Sequence, residues 1–357
     1  MSLHRDTYAE INLKYLKENI ETTYKKFKRP LMAVIKADAY GHGYKEVATY
    51  IKDIDYIEMF AVATLPEAIE LRELGITKGI LILGAVPTSK EEIDLAIKYD
   101  ISLTMISLDY MYHLDTLIKD QPLKVHIKLD TGMNRIGLTS KEQLDELLQT
   151  IDHNKFILEG IFTHYATADG ELAAFEKQRQ LFYELVGDHQ FRYIHCCNSA
   201  AMTYHHDDCS NLGRIGIIMY GIDPAGNESC EFKQVMALYS KVSMIKKIKA
   251  GDRVGYGLTY TAIEDEYLAT VPIGYADGLI RKNQGRKVYI NGNLYEIVGR
   301  VCMDQMMVRV DERIKVGDKV EIFGDNISLA SMAKELDTIP YEIICLITKR
   351  LDRVYLK

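Results

Sequence analysis

No CxxC pair occurs among the six cysteines (Cys196, Cys197, Cys209, Cys230, Cys302, Cys345), and their spacing gives no disulfide framework. In a chain of 357 residues they read as reduced thiols packed as small hydrophobes. No apolar run approaches the roughly 18 residues a membrane helix needs. The opening stretch MSLHRDTYAEINLKYLKENI carries acidic residues and no continuous apolar core, so no secretory signal is expected. No block of like charge stands out from a net charge of −7, which argues against a nucleic acid or an anionic membrane as partner. Internal repeats and low-complexity segments are also missing. The expectation is a cytoplasmic globular protein.

What is present allows a large core: 47% apolar and 27% charged residues, over a length that favours two domains. Continuous rather than alternating hydrophobicity marks eight candidate strands: 31–36, 59–64, 79–85, 101–107, 124–130, 157–165, 193–199 and 212–221. Such runs suit parallel strands covered on both faces. Helical segments lie between them. LPEAIELRELG (65–75) has Pro66 near its start and Gly75 past its end. TSKEEIDLAIKYD (88–100) offers Ser89 and Glu92 at capping-box spacing, and 170–188 has apolar residues at helical intervals. Eight β/α units in about 220 residues predict a TIM barrel. Beyond YGIDPAGNES (220–229) the texture changes to short strand-like runs, with Asn291-Gly292 as a hairpin signal. The predicted class is therefore α/β: a TIM barrel at 11–228 and a C-terminal mostly-β domain at 229–357. Residues 1–10 read as a strand able to join the β domain, and a helix is expected near 328–337.

In a TIM barrel the working face is the C-terminal rim of the strands. Lys36, Lys128 with Arg135 just beyond, His164, and Asn198 with Ser199 fall near strand ends, and Arg214 lies within the eighth strand. An isolated lysine at a strand end ordinarily snorkels to solvent. The sharper reading is a Schiff-base lysine, with AYGHGY following at once to allow close backbone approach and supply Tyr40. That stretch is not a GxGxxG fingerprint.

AVIKADAYGHG resembles the pyridoxal-phosphate attachment motif of the alanine racemase family. The likeness runs along the chain, in the family's order, through KLDTGMNRIG (128–137), THYATAD (163–169), NSAA (198–201), GRIGIIMYG (213–221), VGYGLTY (254–260), VPIGYADG (271–278) and GRVCMDQ (299–305). The resemblance implies a racemase, an isomerase that interconverts L- and D-alanine and supplies D-alanine for peptidoglycan. Lys36 would hold the cofactor and act as one catalytic base. Tyr256 would be the second base, contributed by the other subunit of a homodimer. Racemisation takes a proton from one face of the α-carbon and returns one to the other, so two groups serving as acid and base in turn suit it.

By the same resemblance His164 sits beside Tyr256, and Arg214 faces the pyridine nitrogen as a donor only. Arg135 bonds the cofactor phenolate and helps place the substrate carboxylate. Lys128 matches a lysine that is carbamylated in many members. Tyr40, Ser199 and the amides of Gly216 and Ile217 match phosphate contacts. Met303 matches an amide for the substrate carboxylate. Tyr275, Arg281 and Asp169 match the access corridor, and Asp304 is a secondary acid beside Met303. The family's ending is altered here: Lys349 stands where many members have tyrosine, and Asp352 where they have proline. Lys349 at the pocket edge keeps a serine or broad-specificity racemase as the alternative. A non-catalytic pyridoxal-phosphate-binding protein would lack the second domain, and a decarboxylase of similar architecture would need a carboxylate at the pyridine nitrogen. HHDDC (205–209) has consecutive rather than helically spaced ligands and reads as a solvated loop. Cys302 reads as a packed thiol, so no metal site is expected.

Overall fold

The computed structural model describes residues 5–119, 121–205, 210–228 and 231–357. They fall into two compact units. One comprises Asn19–Ala39 with Tyr44–Met219; the other comprises Met1–Glu18, Tyr40–Gly43 and Tyr220–Lys357.

The first unit is the barrel. After β1 (Tyr8–Asn12), which belongs to the other unit, its strands are β2 (Leu31–Val34), β3 (Ile57–Val62), β4 (Gly79–Ile82), β5 (Leu103–Met105), β6 (Leu123–Lys128), β7 (Phe156–Phe162), β8 (Tyr193–Ile194) and β9 (Gly213–Ile215). All pairings are parallel, in two four-stranded runs, β4-β3-β2-β9 and β5-β6-β7-β8. A parallel bridge between Leu81 and Ser102 joins the runs on one side. On the other, the Arg214 amide donates to the Cys197 carbonyl at 2.9 Å. The strands are buried almost throughout, as their unbroken apolar character requires.

Every strand but β3 is shorter than its apolar run, because the last residues of the run leave the ladder and form the rim loops. β2 stops at Val34, and β8 keeps only Tyr193–Ile194. Several helices begin on side-chain caps, among them Thr64 before Leu65–Glu73, Ser89 before Lys90–Lys98, Ser140 before Lys141–Thr150 and Asn198 before Ser199–Tyr204.

The second unit adds β10 (Met236–Lys241), β11 (Met244–Ile248), β12 (Arg253–Val254), β13 (Tyr260–Thr261), β14 (Glu266–Val271), β15 (Lys287–Ile290), β16 (Asn293–Val298), β17 (Met306–Val310), β18 (Lys319–Phe323) and β19 (Asp352–Leu356). Nine strands form one sheet, ordered β11-β14-β17-β16-β15-β18-β10-β1-β19. In that sheet β1 lies antiparallel to β10 and parallel to β19. The β15–β16 hairpin turns on Asn291 and Gly292 at φ 47° and 89°, the left-handed pair such a two-residue turn demands. A helix spans Leu329–Leu336.

Candidate active site

Lys36 does not end a strand. It opens a single turn, Lys36–Tyr40, in which Ala37, Asp38, Ala39 and Tyr40 all have φ between 52° and 56°. This is a left-handed helical turn made of residues with a Cβ, each costing about 1–2 kcal/mol. Strain of this size persists only where the surroundings impose it. Here the Ala39 amide donates to Ile35 O at 2.9 Å, and the Tyr44 amide reaches back to Asp38 Oδ1 at 3.0 Å. The Glu67 carboxylate accepts from the amides of Ala37 (2.7 Å), Ala63 (2.8 Å) and Thr64 (3.2 Å). One acid thus ties the end of β3 to the residue that follows Lys36.

Across the barrel, a buried guanidinium holds two imidazoles. Arg214, on β9, is buried and donates to His164 Nδ1 at 3.1 Å and to His195 Nδ1 at 3.0 Å, as well as to the Thr163 carbonyl at 2.9 Å. Burial lowers its pKa to about 10, which leaves it a cation with donors only. His164 is held well below its ordinary pKa by burial and then by the charges of Arg214, Arg135, Lys128 and Lys36. It is neutral at physiological pH. Since Arg214 can only donate to Nδ1, the remaining proton of His164 sits on Nε2.

Lys128 ends β6, and its ammonium donates to the Leu129 carbonyl. Burial, aided by Arg214, pulls its pKa down to about 7. Both cations lie over the Phe162 ring, Lys128 Nζ at 5.5 Å and Arg214 Cζ at 5.4 Å from its centre.

Arg135 is exposed, on a loop clamped by Asp130, whose carboxylate accepts from the amides of Gly132, Asn134 and Arg135 at 2.9–3.0 Å. Ser199 opens the helix capped by Asn198, and its Oγ accepts from the Gly216 amide at 3.0 Å. Ile217 begins the 3-10 turn that follows Gly216. Asp169 is exposed on a loop.

In the second unit, Tyr40 is buried, and burial raises its pKa. Its ring lies 5.0 Å from that of Tyr220 and 6.2 Å from that of Tyr341. Arg353 donates to the carbonyls of Gly41, Ile347, Thr348 and Leu351, which fastens the Tyr40–Gly43 loop to the segment carrying Lys349. Tyr256 lies in a short turn between Gly255 and Gly257 (φ 73° and 74°) and is 71% exposed. A Cβ at Gly257 would come within 2.7 Å of the Arg300 guanidinium. The amides of Tyr275 and Ala276 donate to the carbonyls of Cys302 and Met303 at 3.0 Å, which brings Tyr275 and Met303 together. Both are exposed, at 43% and 52%. Asp304 pairs with Arg350 at 2.5 Å, while Arg281 and Lys349 face solvent. Most of HHDDC lies outside the described residues; His205 donates its Nε2–H to the Ala168 carbonyl at 2.8 Å. Among the described residues no group of acids, histidines and cysteines could hold a metal.

Sequence reasoning missed Glu67, Asp130 and the two histidines His126 and His195. Glu67 had a signal, since Thr64 and Glu67 stand at capping-box spacing. His126 had one too: it lies two residues before Lys128 on β6, and so on the same face of the strand.

Residues 11–224 match the family model "Alanine racemase, N-terminal domain", and residues 235–355 match "Alanine racemase, C-terminal domain". The alanine racemase of Ligilactobacillus salivarius is 44% identical over 368 residues, covering 99% of this chain and 98% of that protein. Among solved structures, the alanine racemase from E. faecalis superposes with a TM-score of 0.95 at 38% identity over all of both chains. A histidine racemase from Leuconostoc mesenteroides subsp. sake superposes at 0.91 with 29% identity, covering 100% of this chain and 99% of that one.

Proposed function

Since this chain belongs to the alanine racemase family, we propose that it interconverts L- and D-alanine with Lys36 and Tyr256 as the two bases. The observation that carries this reading is the buried Arg214 guanidinium donating to Nδ1 of His164 at 3.1 Å. The donor set fits pyridoxal phosphate: an amine at Lys36, a buried permanent donor at Arg214, and the Ser199 hydroxyl paired with the Gly216 amide. When bound, that cofactor supplies the electron sink that lets an α-carbon lose its proton.

In this reading Lys36 holds the cofactor, Arg214 donates to the pyridine nitrogen and Arg135 to the phenolate oxygen. Tyr40, Ser199, Gly216 and Ile217 hold the phosphate. Arg135 and the Met303 amide orient the substrate carboxylate, and Tyr275, Arg281, Asp169 and Lys349 border the access corridor. The Lys36 amine takes or returns the α-proton on one face. Tyr256 does so on the other, with the Nε2–H of His164 donating to its phenolate and so favouring the base form. A tyrosine with an ordinary pKa near 10 needs such a donor to work at neutrality. Tyr256 is exposed in the single chain, which accords with a homodimer in which each chain completes the other's site. Lys128, with its pKa near 7, has enough neutral amine to take up CO2 as a carbamate beside Arg135. The product suits peptidoglycan synthesis in the cytoplasm.

The test is α-proton exchange. L-alanine incubated with the cofactor-loaded protein in deuterated water should racemise and take up one deuterium at the α-carbon. If no amino acid exchanges its α-hydrogen, the racemase reading fails. A serine or broad-specificity racemase is the second reading, favoured by the exposed Lys349 where many members carry tyrosine. L-serine and L-histidine belong in the same assay. A non-catalytic cofactor-binding protein is disfavoured by the full second domain at 235–355.

A further inference from the structure

Arg214 is a buried cation whose hydrogen-bond partners among the described residues are carbonyls and two imidazoles, with no carboxylate. A buried charge without a counter-charge is costly, so the question is where compensation comes from. A row of polar groups runs from Arg214 through the barrel. Arg214 meets His195 Nδ1 at 3.0 Å, His195 Nε2 meets His126 Nδ1 at 2.9 Å, and His126 Nε2 lies 3.7 Å from Glu159 Oε2. Ser102 donates its hydroxyl to the same carboxylate oxygen.

The direction of the row follows from its two ends. Arg214 can only donate, so His195 Nδ1 accepts and its proton sits on Nε2. That proton is donated to His126 Nδ1, which leaves the His126 proton on Nε2, facing Glu159. Both imidazoles are fully buried, and burial lowers their pKa values, so both are neutral. Their rings are held flat against neighbours, His195 against Phe162 at 13° and His126 against Tyr193 at 8°. Gly160 leaves the space they need, since a Cβ there would lie 2.6 Å from His126 Nδ1. Glu159 is the one anion on this row, 3.7 Å from a buried His126 Nε2 that makes no direct hydrogen bond among the described residues.

We propose that Glu159 is a positioning residue of this site: through His126 and His195 it supplies the counter-charge of Arg214 and terminates a row of Nε2–H imidazoles that holds the guanidinium toward His164. Its catalytic consequence rests on the racemase reading; the row itself does not.

Nitrogen-15 NMR of histidine-labelled, cofactor-free protein reads the row directly. Both His126 and His195 should be neutral with the proton on Nε2. A proton on Nδ1 of either ring, or a doubly protonated ring, overturns the proposal. In the loaded enzyme, Glu159→Gln removes the charge and keeps an acceptor. One charge acting over two imidazoles in an interior of effective dielectric about 20 shifts a rate about tenfold. The kcat should therefore fall about tenfold in both directions, with KM for alanine changed less than about twofold, because Glu159 is remote from the substrate. A lowered melting temperature with wild-type kcat would make Glu159 merely structural and overturn the proposal. Nε2–H imidazoles in a wild-type protein that exchanges no α-proton would retain the row and sink the racemase reading alone.

Discussion

Replacing Glu67 by alanine should release the left-handed turn that presents Lys36. The carboxylate accepts from three amides, those of Ala37, Ala63 and Thr64. These bonds are partly solvated, so each contributes about 1 kcal/mol rather than the 1.5–3 of a fully buried charged bond. Their loss amounts to about 3 kcal/mol. Against it stands a turn of four residues with left-handed φ, each costing about 1–2 kcal/mol, whose local ties include the Ala39 amide to Ile35 O and the Tyr44 amide to Asp38 Oδ1. The balance therefore tips at the turn before it tips in the barrel. At about 2–4 °C per kcal/mol for a unit of this size, Glu67→Ala should lower the melting temperature by roughly 6–12 °C. Hydrogen exchange followed by mass spectrometry on a peptide covering 31–44 should show faster exchange there than in β6. Glu67→Gln keeps one carbonyl acceptor and should recover about half of the loss. Unchanged exchange over 31–44, with a melting temperature within about 1 °C of wild type, would refute the assignment of Glu67 as the clamp.

Tyr256→Phe should leave the melting temperature unchanged within about 1 °C, since the side chain is largely exposed. Racemisation should nevertheless fall at least about a hundredfold through loss of one acid–base group; retained turnover excludes it as a base. Lys128 has its pKa lowered from 10.5 to about 7, so its neutral, CO2-reactive form grows as pH rises through 7. A carbamate carbon signal with labelled bicarbonate should accordingly strengthen between about pH 6 and pH 8, and vanish in Lys128→Met. The same shift means the unfolded chain binds the extra proton between pH 7 and 10.5, so this lysine's cost to stability is full below 7 and relieved as pH rises through that window. Arg353→Met removes donors to Gly41, Ile347, Thr348 and Leu351. It should weaken retention of pyridoxal phosphate on dialysis, measured by visible absorption; wild-type retention would uncouple Arg353 from Tyr40.

The barrel was legible because parallel strands covered on both faces need unbroken apolar runs, and the runs at 31, 59, 79 and 124 all became strands. Their ends were not legible. Ile35 and Lys36 extend the apolar pattern of β2, yet the chain leaves the ladder after Val34 and turns left-handed. No propensity favours that turn; it exists because Glu67, 30 residues on, accepts the Ala37 amide. His164 and Arg214 were readable as rim residues, but their 3.1 Å contact was not, nor the buried row behind it.

Residue chemistry and order along the chain determined which groups the proposed site would draw on: an amine at 36, a guanidinium at 214, an imidazole at 164 and a phenol at 256. Hydrophobic pattern alone determined that parallel strands would precede the amine at 36. Tertiary structure decided the state in which those groups work. Burial of Arg214 and Lys128 strips their solvent and lowers their pKa values, and the one-way donation of a guanidinium fixes the protons of the imidazoles it touches. Solvation and hydrogen-bond direction belong to neighbours far apart in the chain, which is why no stretch of sequence could state them.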